Sequence, residues 1–303
     1  MSLGLIIFVS SINSQEYSHF DTTLITAYFP VRGSKHSISE YQLWMSNILS
    51  FIKSPIVIFC PPSERLSIMK ARGNLPVVIQ QQYWSIWDVP HAKNFRDIYS
   101  EKDGFVLMDP DKHFYSSELW GIYNSKVWFV EHAININWFN STYFAWIDIG
   151  SQRTALNYQS WPNTERIIET FNGYEDRIIV GFVDPPLPSA ILIAKNLSSP
   201  PNFKVGAKDT VEGTFFFGNA ASLRWLCREY YSLRDLWKLR KQYVGMDQVL
   251  FKTLVLRYGR ERFIGLSSFE TVCGDKWFYF WHHFASEKER MNNCQLLVKE
   301  LLF

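Results

Sequence analysis

The chain lacks a strong charge of either sign. Its 31 Lys and Arg against 29 Asp and Glu leave a formal net charge of +2 over 303 residues. Neither a global positive field nor a basic stripe is present, so a nucleic-acid partner is disfavoured. Cysteine is scarce. Cys60, Cys227, Cys273 and Cys294 are widely spread and form no C-x-x-C pair, which argues against a zinc site. Such dispersed thiols read as buried free cysteines rather than a disulfide framework, although Cys273 and Cys294 are able to pair in a secreted chain. Long apolar runs are missing too. The N-terminal stretch from Leu3 to Val9 is too short to span a bilayer, and no basic residue precedes it as a signal peptide requires. Ser10, Ser11 and Ser14 nevertheless supply small residues where a peptidase cuts. Residues 1–21 are therefore set apart as a candidate signal or truncated anchor, no clear transmembrane segment is found, and the compartment stays open between cytoplasm and secretory-pathway lumen. Internal repeats and low-complexity tracts are absent.

Aromatic residues are abundant instead. With 12 Trp, 15 Tyr and 24 Phe, the chain has enough rings to fill a core and still line clefts. Aromatic platforms suit sugar rings and bases, while core packing remains the plain account of any one ring. An apolar content of 47% supports a sizeable core, and residues 22–303 read as a single α/β domain.

The order of elements supports that class. Thr22 to Phe29 reads as a strand, broken by Pro30-Val31-Arg32-Gly33. Ser37 with Glu40 three residues on forms a capping box that opens a helix to about Ile52. Pro55 to Phe59 and Leu75 to Gln80 are further strands, with a short helix from Ser63 between them. Strand, helix, strand, helix, strand predicts a mostly parallel sheet flanked by helices. Gln80 to Phe114 carries Asp109-Pro110-Asp111 without a clear period and reads as an insertion or lid. Ser116 to Ile134 has the period of one helix. Beyond it come strands at Arg177 to Val183, Thr214 to Phe217 and Phe263 to Leu266. Helices are expected near Asn163 to Phe171, at Ala220 to Tyr231 and at Met246 to Tyr258, and an aromatic tail spans Trp277 to Phe284.

The most telling run is Tyr143-Phe144-Ala145-Trp146-Ile147-Asp148-Ile149-Gly150. Its apolar part predicts a buried central strand. Asp148 then falls at the carboxyl edge of the sheet, where open α/β folds place ligands. A carboxylate there is able to bind a divalent metal, which in turn grips a diphosphate; Asp-x-Gly as a simple turn is the competing account.

Asn124-Ser125-Lys126, the run FAWIDIG with Arg153 after it, the segment EGTFFFGNA (Glu212 to Ala220) and Gly245-Met246-Asp247-Gln248 together resemble the HtrL/YibB family, over about Thr22 to Leu266. That family is similar to nucleotide-sugar glycosyltransferases of the GT-A type. The resemblance implies a GT-A-like architecture and transfer of a sugar from a nucleotide-sugar donor to a glycan or glycoconjugate acceptor. A non-catalytic nucleotide- or sugar-binding protein on the same fold is the alternative. In GT-A enzymes an Asp-X-Asp closes the central strand and holds Mn²⁺ or Mg²⁺. Here Asp148 matches the first acid and Gly150 stands where the second would be. The resemblance offers two repairs. A C-terminal histidine, His282 or His283, supplies a further metal ligand, or Arg32, Lys35, Lys126 and Arg153 hold the diphosphate without metal.

Transfer requires neutralisation of charge on the leaving diphosphate. An inverting transferase also needs a carboxylate base beside the acceptor hydroxyl. Asp247 is the candidate base, at a helix start where the dipole favours its charge; an ordinary N-terminal acid is the alternative. Gly213 and Gly218 would let backbone approach a sugar closely, or simply delimit a strand. For His282 and His283 the alternative is aromatic packing.

Overall fold

The computed structural model describes residues 21–31, 34, 36–99, 116–154, 158, 160–184, 211–267 and 276–289. The described residues build a seven-stranded sheet. Its strands are β1 (Thr22–Ala27), β2 (Ile56–Phe59), β3 (Val77–Gln80), β4 (Tyr143–Ile147), β5 (Ile178–Phe182), β6 (Val211–Asn219) and β7 (Phe263–Ser267). The order across the sheet is β3-β2-β1-β4-β6-β5-β7, so β4 lies at its centre. β1, β2, β3 and β4 pair in parallel, as do β5 and β7. β6 runs antiparallel to both neighbours. The mostly parallel α/β sheet flanked by helices, expected from the element order, is what the chain forms. The reversed β6 has a consequence for function: its amino end lies at the same edge as the carboxyl ends of β1 and β4.

Alternation along the strands divides the side chains between two cores. One face carries Ile25, Val57, Phe144, Trp146, Val180 and Phe216. It is covered by α5 (Lys126–Ile136), α7 (Ala220–Leu239) and α8 (Asp247–Tyr258). The other carries Leu24, Ile58, Ala145, Ile147, Phe215 and Phe217. It is covered by α1 (Ile38–Phe51), α2 (Arg65–Arg72), α6 (Thr164–Phe171) and α9 (Tyr279–His283). The described residues also include two short helices, α3 (Pro90–Lys93) and α4 (Ser117–Tyr123). Each buried Ile or Phe contributes roughly 1.5–3 kcal/mol.

Local chemistry explains the element ends. Ser37 caps α1 and Glu40 reaches back to the Ser37 amide at 2.7 Å, the expected capping box. Asn163 caps α6 and Asn219 caps α7. Two expectations need correction. The helix read over Ser116 to Ile134 is two helices, α4 and α5. Asn124 and Ser125 turn their side chains onto the carbonyls of Trp120 and Gly121, competing with the helical ladder, and the chain bends there. Helix α7 continues to Leu239, past the expected end at Tyr231. Cys60 and Cys227 are buried free thiols, while Cys273 and Cys294 lie outside the described residues. Asp109-Pro110-Asp111 and most of residues 1–21 also lie outside them. Among the described residues no helix is long and apolar enough to cross a membrane.

Candidate active site

A cleft of about 430 Å³ opens at the carboxyl edge of the sheet. Strand β1 supplies the turn from Tyr28 to Val31, and β4 supplies Asp148, Ile149 and Gly150. The amino end of β6 adds Gly213 and Thr214, and the start of α8 adds Asp247 and Gln248. Parallel order reverses direction of growth between β1 and β4, the switch point where open α/β sheets leave a crevice.

At its floor three charged groups meet. The Lys126 ammonium lies 2.9 Å from Asp148 Oδ1, 3.1 Å from Asp148 Oδ2 and 2.8 Å from Asp247 Oδ2. It also donates to the Gly213 carbonyl at 2.7 Å. Lys126 is 2% exposed. An ammonium has three N–H donors, and here Gly213, Asp148 and Asp247 take them. A lysine opening a helix works against the dipole, so the carboxylates, not helix propensity, account for it. Burial alone pushes the Lys126 ammonium towards the neutral form, but the Asp148 and Asp247 carboxylates outweigh it, and its pKa is raised.

Asp148 follows Trp146 by two residues, and alternation puts both on the α5 face. The Trp146 indole Nε1 donates to Asp148 Oδ1 at 2.7 Å, while the Asp148 amide donates to the Thr214 carbonyl. About a quarter of the Asp148 side chain, 26%, stays exposed to the cleft. Asp247 is buried, its Oδ1 accepting from the Gln248 amide at 2.9 Å. Burial raises its pKa to about 6; Lys126 opposes the rise and Asp148 adds to it.

Glycine makes this convergence possible at one point. A Cβ on Gly213 would stand 2.5 Å from Asp247 Oδ2, so only glycine lets β6 pass beside the acid. Asn124 fixes the other side: its amide group donates to the Gly245 carbonyl and its Oδ1 accepts from the Tyr230 hydroxyl. The bend between α4 and α5 is thereby tied to the loop that leads into Asp247.

The outer wall is aromatic. Tyr41 and Trp44 of α1 pack edge to face at 5.4 Å between ring centroids. Arg153 stacks between Trp44 and Phe278, its Cζ 4.9 Å from each ring. Gly150 lies against this wall. A Cβ there would meet Tyr41 Cε1 at 3.0 Å and Trp44 Cε3 at 3.2 Å. The second acid of an Asp-X-Asp is thus replaced by glycine where ring edges already fill the ground.

The sequence candidates divide accordingly. Asp148, Lys126, Gly213, Asp247 and Arg153 all line the one cleft. Arg32 and Lys35 lie outside the described residues. Gly218 is a correction. It pairs with Phe144 at the opposite end of β6, where its bare Cα accommodates Ser222 at the start of α7. His283 is a second. Its Nε2 hydrogen-bonds Thr170 at 2.8 Å, it is fully buried, and it does not line the cleft. His282 bonds the Tyr158 hydroxyl through Nδ1 at 2.7 Å and is likewise absent from the lining. The C-terminal segment reaches the cleft with Trp277 and Phe278 instead of an imidazole. Lys126 is a third, since its donors are spent on protein groups rather than offered to a diphosphate. Trp146, Tyr41, Trp44 and Phe278 were indistinguishable from core aromatics in the sequence. For Trp146 the one usable signal was its spacing of two from Asp148.

The donor set does not fit a divalent metal. Among the described residues no three His, Cys, Asp or Glu side chains come together as a metal site. The two acids that do converge share an ammonium.

Residues 20–164 match the model of a family described as "Bacterial protein of unknown function (HtrL_YibB)". The match takes in β1 to β4, Lys126, Asp148 and Arg153, and it stops short of Gly213 and Asp247. No curated protein matches the chain. Among solved structures, the crystal structure of mouse xyloside xylosyltransferase 1 in its apo form is similar at 12% identity, with a TM-score of 0.46. The likeness covers 82% of this chain and 86% of that one.

Proposed function

We propose that the chain is a glycosyltransferase that moves a sugar from a nucleotide-sugar donor to a glycan or glycoconjugate acceptor. The observation that carries this reading is the pair Asp148 and Asp247, brought together by Lys126 at the floor of an aromatic-walled cleft. In the inverting form of the reaction, Asp247 takes the proton of the acceptor hydroxyl. The acceptor oxygen bonds to the anomeric carbon, and the bond from that carbon to the donor phosphate oxygen breaks, its electron pair leaving on the diphosphate. A carboxylate whose pKa has risen to about 6 suits a base that works near neutrality. An aromatic ring in the lining, such as Tyr41, suits the apolar face of a sugar or a base.

The test is release of nucleoside diphosphate from a panel of nucleotide sugars with glycan acceptors. Release by the parent chain, reduced about 10²-fold or more in Asp247→Asn, is expected. Saturable binding of a nucleotide sugar with no release would favour the second reading, a non-catalytic binding protein. One observation favours that reading: both acids are already paired with the same ammonium in the resting protein.

A further inference from the structure

The floor and the wall of the cleft carry opposite charges, and they differ in what they have left to offer. At the floor, two carboxylates and one ammonium leave one net negative charge. The Lys126 donors are consumed and the group is sealed from solvent. A divalent cation bridging Asp148 and Asp247 would sit about 2 Å from the oxygens that the ammonium already holds. Two cations cannot share that ground. The ion between the acids is therefore part of the polypeptide.

Arg153 is the reverse case. It is exposed, and its guanidinium makes no hydrogen bond or ion pair among the described residues. Its contacts are the faces of Trp44 and Phe278. Two rings hold its Cζ in place, and among the described residues no protein group takes its N–H donors. A guanidinium so held is a pre-oriented fork for a phosphate, because little rotamer freedom remains to be lost on binding. The nearby His36 is already directed at Glu40, 3.7 Å away. Asp148, meanwhile, keeps an exposed side that is able only to accept hydrogen bonds.

We propose that Arg153, and not a divalent metal, receives the phosphate of the ligand, while Lys126 serves as the fixed cation between the acids and the open side of Asp148 accepts from a sugar hydroxyl. This inference rests on the nucleotide-sugar reading and gives it a binding mode. The ligand spans the cleft with its anionic end at the Arg153 stack and its hydroxyls at the floor. Lys126 is a positioning residue for the two carboxylates and touches no substrate.

The experiment is calorimetric titration of the full chain with uridine, guanosine and adenosine diphosphates and with inorganic pyrophosphate, once in EDTA and once in Mn²⁺. Affinity within about twofold in the two conditions is expected, with a loss of about tenfold or more in Arg153→Ala. Arg153→Lys keeps the charge without the fork and recovers only part of the affinity. Arg153 is exposed, so both variants should fold, and an unchanged Tm verifies it. Binding that EDTA abolishes and Mn²⁺ restores overturns the inference while leaving the transferase reading intact, as does full affinity in Arg153→Ala. Metal-independent, Arg153-dependent binding without sugar transfer sinks the transferase reading and leaves this one standing. A chain that binds none of the probes loses both.

Discussion

Two of the buried cations, Arg72 and Lys126, lie at opposite edges of the same sheet. Arg72, at the end of α2, is 1% exposed and donates to the carbonyls of Leu49, Ile52, Ser54 and Pro76. Those carbonyls close α1 and lead into β2 and β3, so Arg72 satisfies groups that a helix end and two strand entries would otherwise leave bare. Lys126, at the carboxyl edge, is held by two carboxylates, one of which faces the cleft. The contrast separates two uses of a buried charge. Arg72 ties backbone to backbone and does not line the carboxyl-edge cleft. Lys126 gathers side chains whose unused capacity points outward, which folding alone does not require.

The largest effects should come from removing the two cations. Lys126→Met leaves two carboxylates facing each other, and loss of one partner from a buried ion cluster costs about 3–5 kcal/mol. Arg72→Met leaves carbonyls unpaired at about 1–3 kcal/mol for an unsatisfied group. Urea titrations at two pH values distinguish them further. In Lys126→Met, Asp247 loses the cation that lowers its pKa and protonates at higher pH than in the parent, which relieves the repulsion, so the deficit should shrink as the pH falls from neutrality towards the ordinary carboxyl value of 3.8. The Arg72→Met deficit should stay flat across that interval. Matching pH profiles for the two variants would erase the distinction.

Next in size is Gly213→Ala. Its Cβ lies within 2.8 Å of three Asp247 carboxyl atoms, and the expected overpacking cost is about 1–3 kcal/mol. Asp247 is displaced, so nucleoside-diphosphate release should fall with stability. Gly218→Ala meets chiefly the Ser222 hydroxyl at 2.6 Å, a single atom that is able to rotate away. Equal losses in the two glycine variants would mean that the end of β6 beside Asp247 is no more constrained than the other.

Asp247→Asn gives a smaller effect, visible in the slope of stability against pH. The folded pKa of Asp247 is raised from 3.8 to about 6. Between those values the folded chain binds more protons than the unfolded one, so this group makes stability fall as the pH rises. Asp247→Asn removes that contribution, and Tm should decline less steeply over the interval than in the parent. An unchanged slope would show that Asp247 keeps an ordinary pKa.

Much of this was legible in the sequence, for local reasons. The first four strands are apolar runs with Pro, Gly or Asp at their borders, and Ser37 with Glu40 marks the start of α1. The break at Asn124-Ser125 was not legible, because the apolar period runs unbroken across it. Lys126 read as a free phosphate ligand because nothing local reveals that Asp148, Asp247 and Gly213 converge on it. Gly213 and Gly218 looked equivalent as strand flanks, yet the register places them at opposite ends of β6. The C-terminal histidines looked available because a sequence does not reveal which side of a short helix faces the sheet. Asp148 was legible because an acid closing an apolar strand serves no packing need, whereas Asp247, an acid that a helix start ordinarily favours, was legible only beside it.

The smallest expected effect is at Gly150. Gly150→Ala places a Cβ 3.0 Å from Tyr41 and 3.2 Å from Trp44. Both neighbours are ring edges able to yield a few tenths of an ångström, so the cost should be about 1 kcal/mol, the low end for overpacking. Gly150→Asp is the sharper form, because it restores the acid that an Asp-X-Asp would carry. If Lys126 is the permanent cation, that acid has no metal to complete, and it adds negative charge to a floor that already has an excess. Mn²⁺ titration followed by electron paramagnetic resonance should remain that of the free ion in both parent and variant. Saturable Mn²⁺ binding by Gly150→Asp would show that Lys126 yields its place, and the contrast between the two buried cations would then be one of degree rather than kind.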